Sequence, residues 1–547
     1  RSVKFDHPTP HRWVVPQHDG TVVFEYRLFG NRCDGTYSQI TSRHAHLNAP
    51  ATFVWTEACA DRPHVVRFDL PKASRWKVAS QLKTTKFGYF APNLAYLLDS
   101  PIGLSDHHLI EWDLLEGGRV ATIRLAVHHD GSKSEAETYG QLARAVVNEQ
   151  IGIFGELPKF DYGSYTFIAD YHAAATGDGM EHRNSTVLTS SRALKGSGMV
   201  RNLGTLSHEF VHAWNVERLR PKSLEPFDFE RPNVASELWF AEGFTSYYTY
   251  LVICRAGIIS VEDYASRLAR TISAVTYSPG RRFRSPEDMS CLATLVDGGN
   301  SIDPVNWKNT YISYYTYGSA VGLALDLTLR SRFRGKDLDG YMRFLWNAFG
   351  REETPYTPQD LERTLGKFVG DESFARNFFG RHVRGRELVD YARLLRRAGL
   401  DLRNQKKGQA SFGGLSLDFE QKDPRVTSSP RNGSPFYEAG IGLDDKLVRV
   451  GGRRIRSQSD LDAIESSVKP GEVVEVEFRR GGRIDTCKLR AVEGSSLELR
   501  PVERGGAELS KDQRAFRSRW LDSKAPARTK LPRSFTDGQL QTQRLGR

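Results

Sequence analysis

The stretch His208-Glu209-Phe210-Val211-His212 restricts this chain more than any other, because it places two imidazoles four residues apart with a carboxylate beside the first. On a helix of 3.6 residues per turn, positions i and i+4 leave from one face, so both rings can reach a single zinc ion. Glu209 then lies next to the metal without binding it, where it can take a proton from an activated water, the arrangement of a metal-dependent hydrolase. The preceding Gly204-Thr205-Leu206-Ser207 supplies a glycine break and a hydroxyl cap, which predicts a helix starting just upstream of His208, with Phe210, Val211 and Trp214 as its apolar side.

A catalytic zinc takes three protein ligands and leaves one position open, so a third ligand is required. The run Glu237-Leu238-Trp239-Phe240-Ala241-Glu242-Gly243-Phe244-Thr245-Ser246-Tyr247-Tyr248 is apolar around one carboxylate. Burying a lone glutamate there is costly unless a cation compensates it, which makes Glu242 the expected third ligand and leaves Glu237 for solvent.

The words HEFVHAWNVERLRP and ELWFAEGFTSYY, and the long gap between them, resemble the glycyl aminopeptidase family, PDZ-bearing gluzincin zinc metallopeptidases related to aminopeptidase N. The resemblance implies zinc-binding by His208, His212 and Glu242, one ion in all, with Glu209 as general base. Gly177-Asp178-Gly179-Met180-Glu181-His182-Arg183-Asn184-Ser185 looks like the family's substrate edge strand. It implies a substrate-binding role for Gly179, Met180 and Glu181, with Glu181 on the free α-ammonium of a peptide; by itself Gly-Asp-Gly is turn chemistry. Tyr314-Tyr315-Thr316-Tyr317-Gly318-Ser319-Ala320 is similar to the stretch with the oxyanion-stabilising tyrosine. Tyr315 takes that position and Tyr314 is the alternative, since Tyr317 and Ser319 depart from the usual lysine and alanine.

At 547 residues the chain exceeds one hydrophobic core. Residues 1–130 read as an antiparallel β-sandwich, on runs such as Thr21–Phe29 and His64–Leu70, and against the family this domain looks short, as though its first strands were missing. From Ser134 a helical period begins, with Tyr139, Leu142, Val146 and Val147 on one side. A strand at Tyr165–Asp170 follows, and helices dominate beyond Glu237, among them 321–329, 338–349 and 358–368. Residues 131–405 form the catalytic unit, which the resemblance implies is thermolysin-like and mostly α-helical. Residues 408–502 resemble a PDZ domain, a small β-barrel-like module. Gly414, Leu415, Ser416 and Leu417 stand at its carboxylate-binding loop, 433–453 at its central hairpin, 459–466 at a helix and 473–479 at a strand. It either receives a C-terminal peptide as an added strand or only docks on the catalytic unit. The fold class expected is therefore multidomain α+β.

The net charge of +11 invites a nucleic-acid reading, but residues 503–547 hold 11 Lys and Arg against 5 Asp and Glu, so more than half the excess sits in a basic tail expected to be solvated and disordered. No nucleic-acid partner is expected. No apolar run reaches the roughly 18 residues of a membrane span. The chain opens on Arg1 without a leader-like pattern, so a removed leader or a fragment is expected, and the compartment of a soluble protein, cytoplasmic or periplasmic, is not read from this end. Cys33 and Cys59 could bridge in an oxidising compartment; the other three cysteines are scattered. The histidine pairs 44/46, 107/108 and 128/129 lack partner acids at ligand spacing and are expected on the surface.

The function expected is removal of small N-terminal residues, glycine and possibly alanine by resemblance, from peptides with a free N-terminus. The rivals are a zinc endopeptidase with PDZ-guided substrates, an epoxide hydrolase like the leukotriene-hydrolysing relative, and a PDZ scaffold with an inert peptidase domain.

Overall fold

The computed structural model describes residues 4–72, 74–296, 305–527 and 529–532. It is a multidomain α+β protein whose β-rich N-terminal part, helical middle and C-terminal sheet-bearing part, the one that resembles a PDZ domain in sequence, follow one another along the chain. In the N-terminal part, strands Gln39–Ile40, His44–Leu47 (β1), Ile102–Ser105 and Lys77–Ser80 form an antiparallel sheet in that order. A second sheet of His64–Val66, Gly88–Ala91 and Lys83–Thr85 packs with it over Leu47, Leu82, Ala91, Leu97, Ile102 and Leu104. The strand expected at 21–29 does not form; the stretch takes no regular secondary structure and leaves Phe29 88% exposed.

The hairpin His108–Glu116 (β2) and Arg119–His129 (β3), which the sequence reading assigned to the N-terminal domain, belongs instead to the catalytic sheet. After helix Lys133–Phe154 (α1), strand Ser164–Tyr171 (β4) runs parallel to β3. Asp178–His182 (β5) and Ser185–Ser190 (β6) complete the order β2-β3-β4-β6-β5. A βαβ crossover explains the change of period at residue 134: Ser132 and Glu135 form a capping box, Tyr139, Leu142, Val146 and Val147 are fully buried, and Gly155 stops the helix in the left-handed region. β5 is the antiparallel edge strand, and it lies against helix Gly196–Val211 (α2).

α2 begins at Gly196, twelve positions before His208, so Gly204 is no break. It is the point where the helix passes under Tyr250, whose hydroxyl would stand 2.7 Å from any Cβ added there. Leu238–Ala241 (α3) and Gly243–Arg255 (α4) flank Glu242, and Tyr314–Arg332 (α5) packs across both.

The PDZ sheet has the order Leu417–Asp418, Arg425–Val426, Lys446–Val450, Val473–Arg480, Arg483–Arg490, with helix Gln458–Ser467 beside it. The segment read as its central hairpin begins instead with a Ser434-capped helical turn, Pro435–Glu438. The module is inserted: Leu400–Asn404 before it pairs with Leu497–Pro501 after it, so the chain leaves the catalytic body and returns to it.

That return corrects the expectation of a disordered tail. Helix Lys511–Leu521 (α6) buries Phe516, Trp520 and Leu521 in the catalytic core. The indole of Trp520 donates to the Tyr247 hydroxyl at 2.9 Å and its carbonyl accepts from Arg255 at 2.9 Å. Its low mean hydropathy hid three well-spaced apolar residues among charges that face solvent. Positions 533–547 of that tail lie outside the described residues.

Candidate metal centre and active site

Three side chains meet at the C-terminal end of α2. His208 Nε2 and His212 Nε2 are 3.2 Å apart, and Glu242 Oε2 lies 3.1 Å from the first and 3.2 Å from the second. Ligands about 2.0–2.1 Å from a tetrahedral zinc stand about 3.3 Å from one another, so this donor set has the spacing a zinc ion requires. The outer ring nitrogens are occupied: His212 Nδ1 donates to the Asn215 carbonyl at 2.7 Å, and His208 Nδ1 pairs with Thr249 Oγ1 at 3.2 Å. Such second partners leave each Nε2 lone pair facing the common point. Asn215 also donates to the Phe240 and Ala241 carbonyls and to Thr245 Oγ1, tying the turn after His212 to the helix break that carries Glu242. Nothing in the motif words marks Asn215, because its work is done on backbone far along the chain.

Burial by itself would raise the Glu242 carboxyl, but the charges and hydrogen bonds of His212 and His208 outweigh it and hold it far below the ordinary carboxylate range. Glu237 is buried rather than solvated, with Ser223 and Ser236 hydroxyls donating to its Oε2 at 3.2 and 3.0 Å.

Glu209 is buried and its carboxylate lies against β5: a Cβ on Gly179 would come within 2.2 Å of Glu209 Oε1. Glu181, Glu209 and His212 each present a ligand-type atom within 4.8 Å of the others. Desolvation pushes the Glu209 carboxyl well above its usual value; His212 opposes the shift, and Glu181, Glu242 and Asp178 add to it. Met180 sits between them on β5, its carbonyl accepting from Thr186 Oγ1 at 2.8 Å. The ring of Tyr315 is 5.8 Å from that of His208, whereas Tyr314 is buried behind it, stacked at 4.7 Å. Burial, then the charge of Glu242, raises the Tyr315 phenol well above its usual value, so it remains an O–H donor.

The residues after Glu181 brace its strand. His182 Nδ1 pairs with Asp99 at 2.8 Å, Arg183 bridges Asp161 and Glu353, and the Asn184 amide donates to Tyr96 and Asp161. Arg218, fully buried, donates to the Arg183 and Ala213 carbonyls. Glu217, which motif reading passed over, faces Asp99, Glu181 and His182; burial and then Asp99 push its carboxyl up to about 7.

The other expected positions fall elsewhere. Gly414, Leu415, Ser416 and Leu417 lie on the PDZ module, where Gly413 and Gly414 adopt left-handed backbone (φ 87° and 70°) and Leu415 and Leu417 pack on its core. All five cysteines are free thiols, so the Cys33–Cys59 bridge does not form. His44, His46 and His107 are buried, not surface residues, because the seam between the N-terminal and catalytic sheets closes over them; burial lowers His44 and His107 to about 4.

Family comparisons match residues 201–321 to the M61 glycyl aminopeptidase, residues 1–106 to the Peptidase M61 N-terminal domain, and residues 413–490 to the PDZ domain. The fold is similar to that of an aminopeptidase N family protein from Idiomarina loihiensis, at 24% identity over 88% of this chain and 83% of that one, with a TM-score of 0.74. An M1 zinc metallopeptidase from Deinococcus radiodurans aligns at 16% identity over 58% of this chain and 63% of its own, with a TM-score of 0.39. No curated protein matches the chain.

Proposed function

We propose a zinc-dependent aminopeptidase activity for this chain, a peptidase that carries the domains of the M61 glycyl aminopeptidase family joined to a PDZ domain. His208, His212 and Glu242 would hold one zinc ion, and their mutual spacing of 3.1–3.2 Å supports that reading. A zinc ion held there supplies Lewis-acid polarisation of a carbonyl and acidifies a water at neutral pH.

The observation that carries the exopeptidase reading is the proximity of Glu181, on an edge strand, to Glu209 beside the ligand set. A peptide paired along β5 would present its free ammonium to Glu181, which fixes the scissile bond one residue in. Glu209 accepts a proton from the attacking water and passes it to the departing amine nitrogen. Tyr315 donates to the oxygen that gains charge in the tetrahedral state. The preference for glycine follows the glycyl aminopeptidase activity for which the matched family is named, and alanine is the next smallest side chain. For the PDZ module, the left-handed Gly413-Gly414 turn beside the edge strand Leu417–Asp418 supports capture of a peptide C-terminus.

The test is hydrolysis of glycyl, alanyl and larger aminoacyl amides, each free and N-acetylated, by wild type and Glu181→Gln. Free-amine substrates are expected to lose at least about tenfold more kcat/KM than blocked ones, the loss of one charge-assisted contact. Equal losses on both series would establish endopeptidase action instead.

A further inference from the structure

Away from the ligand triangle, three imidazoles from separate parts of the chain converge on one carboxylate at the seam between the N-terminal sheet and the catalytic sheet. His44 opens β1, His128 stands opposite Asp170 in the parallel register of β3 and β4, and His172 follows directly after β4. Ring centroids of His44 lie 4.7 Å from those of both His128 and His172, and the latter two are 5.7 Å apart. One ligand-type atom from each of His44, His128, Asp170 and His172 falls within 4.8 Å of all the others.

Asp170 is aimed by its neighbours. His128 Nδ1 lies 3.0 Å from Asp170 Oδ1, a contact that a bound cation would replace, and Asp170 Oδ2 accepts from His46 Nδ1 at 2.9 Å, while His46 Nε2 donates to the Asp34 carbonyl at 2.8 Å. On the opposite side, Nε2 of His172 is buried and has no hydrogen-bond partner among the described residues. A buried ring nitrogen without a partner is costly, and the cost is removed if it donates its lone pair to a cation. Imidazoles with one carboxylate are the donors that borderline divalent metals favour.

We propose that His44, His128, Asp170 and His172 bind a second divalent transition cation, of the zinc, nickel or copper class, with a structural role. Metal–nitrogen bonds of about 2.0–2.1 Å bring tetrahedral ligands to about 3.3 Å of one another, so the side chains draw together by up to about 1.5 Å on binding. The cation staples β1 of the N-terminal part to β3 and β4 of the catalytic sheet. From there the seam continues through Thr176 N donating to the Cys33 carbonyl at 3.0 Å and Gly35 N donating to Asp178 at 3.0 Å, directly into β5. The ion therefore stiffens the strand that carries Glu181 without touching the ligand triangle.

Elemental analysis of the full chain after zinc or cobalt reconstitution and gel filtration tests this. Wild type is expected to retain about two equivalents, and His208→Ala and His172→Gln about one each, with His172→Gln also melting lower while keeping turnover. Two equivalents retained by His172→Gln would overturn the proposal. Should His172→Gln fail to fold, cobalt titration of His208→Ala reads the intact histidine cluster directly. Uptake of one equivalent with tetrahedral d–d absorption supports the site, and no uptake means a hydrogen-bonded histidine cluster without an ion.

Discussion

Gly243 and Gly318 meet backbone to backbone: a Cβ on Gly243 would stand 2.3 Å from the Cα of Gly318, and a Cβ on Gly318 would stand 2.0 Å from the Trp239 carbonyl oxygen. The contact lets α5 cross the break between α3 and α4, which brings Tyr315 to the side of the ligand set that Glu242 completes. The clashing atoms are backbone, so no rotamer change relieves them. Gly318→Ala is expected to lose about 1–3 kcal/mol of stability and to lower kcat as Tyr315 is displaced. Thermal unfolding and steady-state kinetics check both, and a variant unchanged in either would show that the helices can separate freely.

Gly179 leaves space for the Glu209 carboxylate. With Glu209 Cδ at 2.6 Å and Thr205 Cγ2 at 2.8 Å from the added Cβ, Gly179→Ala must move Glu209 and not only rotate its tip. Zinc content should be preserved while kcat falls by roughly 10²-fold, the lower range for an impaired general base. Glu209→Gln should fall further with metal retained. Metal analysis beside turnover separates this from simple loss of zinc.

Tyr315→Phe is expected to reduce kcat by about 10²–10³-fold with little change in KM, because an oxyanion donor acts only where charge develops. Tyr314→Phe, altering a buried ring behind it, should leave turnover within a few fold. Reversal of the two results would transfer the oxyanion role to Tyr314.

Glu217 couples stability to pH. Its folded pKa of about 7 lies above the ordinary carboxyl value of 4.5, so ionisation is disfavoured in the fold. The stabilising contribution is complete below about 4.5 and is lost as pH rises through about 7. Glu217→Gln should therefore show a flatter stability profile between these limits, measured by urea unfolding across pH. A variant with the wild-type slope would assign the dependence to other groups.

Trp520 seals the catalytic helices from outside the catalytic segment proper. Trp520→Ala removes a fully buried indole and its hydrogen bond to Tyr247, at an expected cost of about 3–5 kcal/mol. Truncation before α6 should lower the melting temperature of the peptidase body as well. An unchanged transition would mean that α6 docks weakly on a core that holds without it.

Much of the site was legible because its signals are local. The four-residue spacing of His208 and His212, the carboxylate of Glu242 inside an apolar run, and the 3.6-residue period of α1 are each decided within one or two turns of chain. Which of Tyr314 and Tyr315 lies nearer His208 needed the fold, since both lie in the same turn of α5 and only packing distinguishes the two rings.

By itself the sequence determined the four-residue histidine spacing, the helical periods and the family words, all of which depend on neighbours a few residues away. Only the tertiary structure decided that the 108–129 hairpin joins the catalytic sheet, that α6 returns to the core, and that His44, His128, Asp170 and His172 share one seam. The physical reason is that burial is a property of what packs over a residue. An isolated histidine pair or a basic tail carries no mark of the surface that will cover it until strands and helices distant in sequence have closed together.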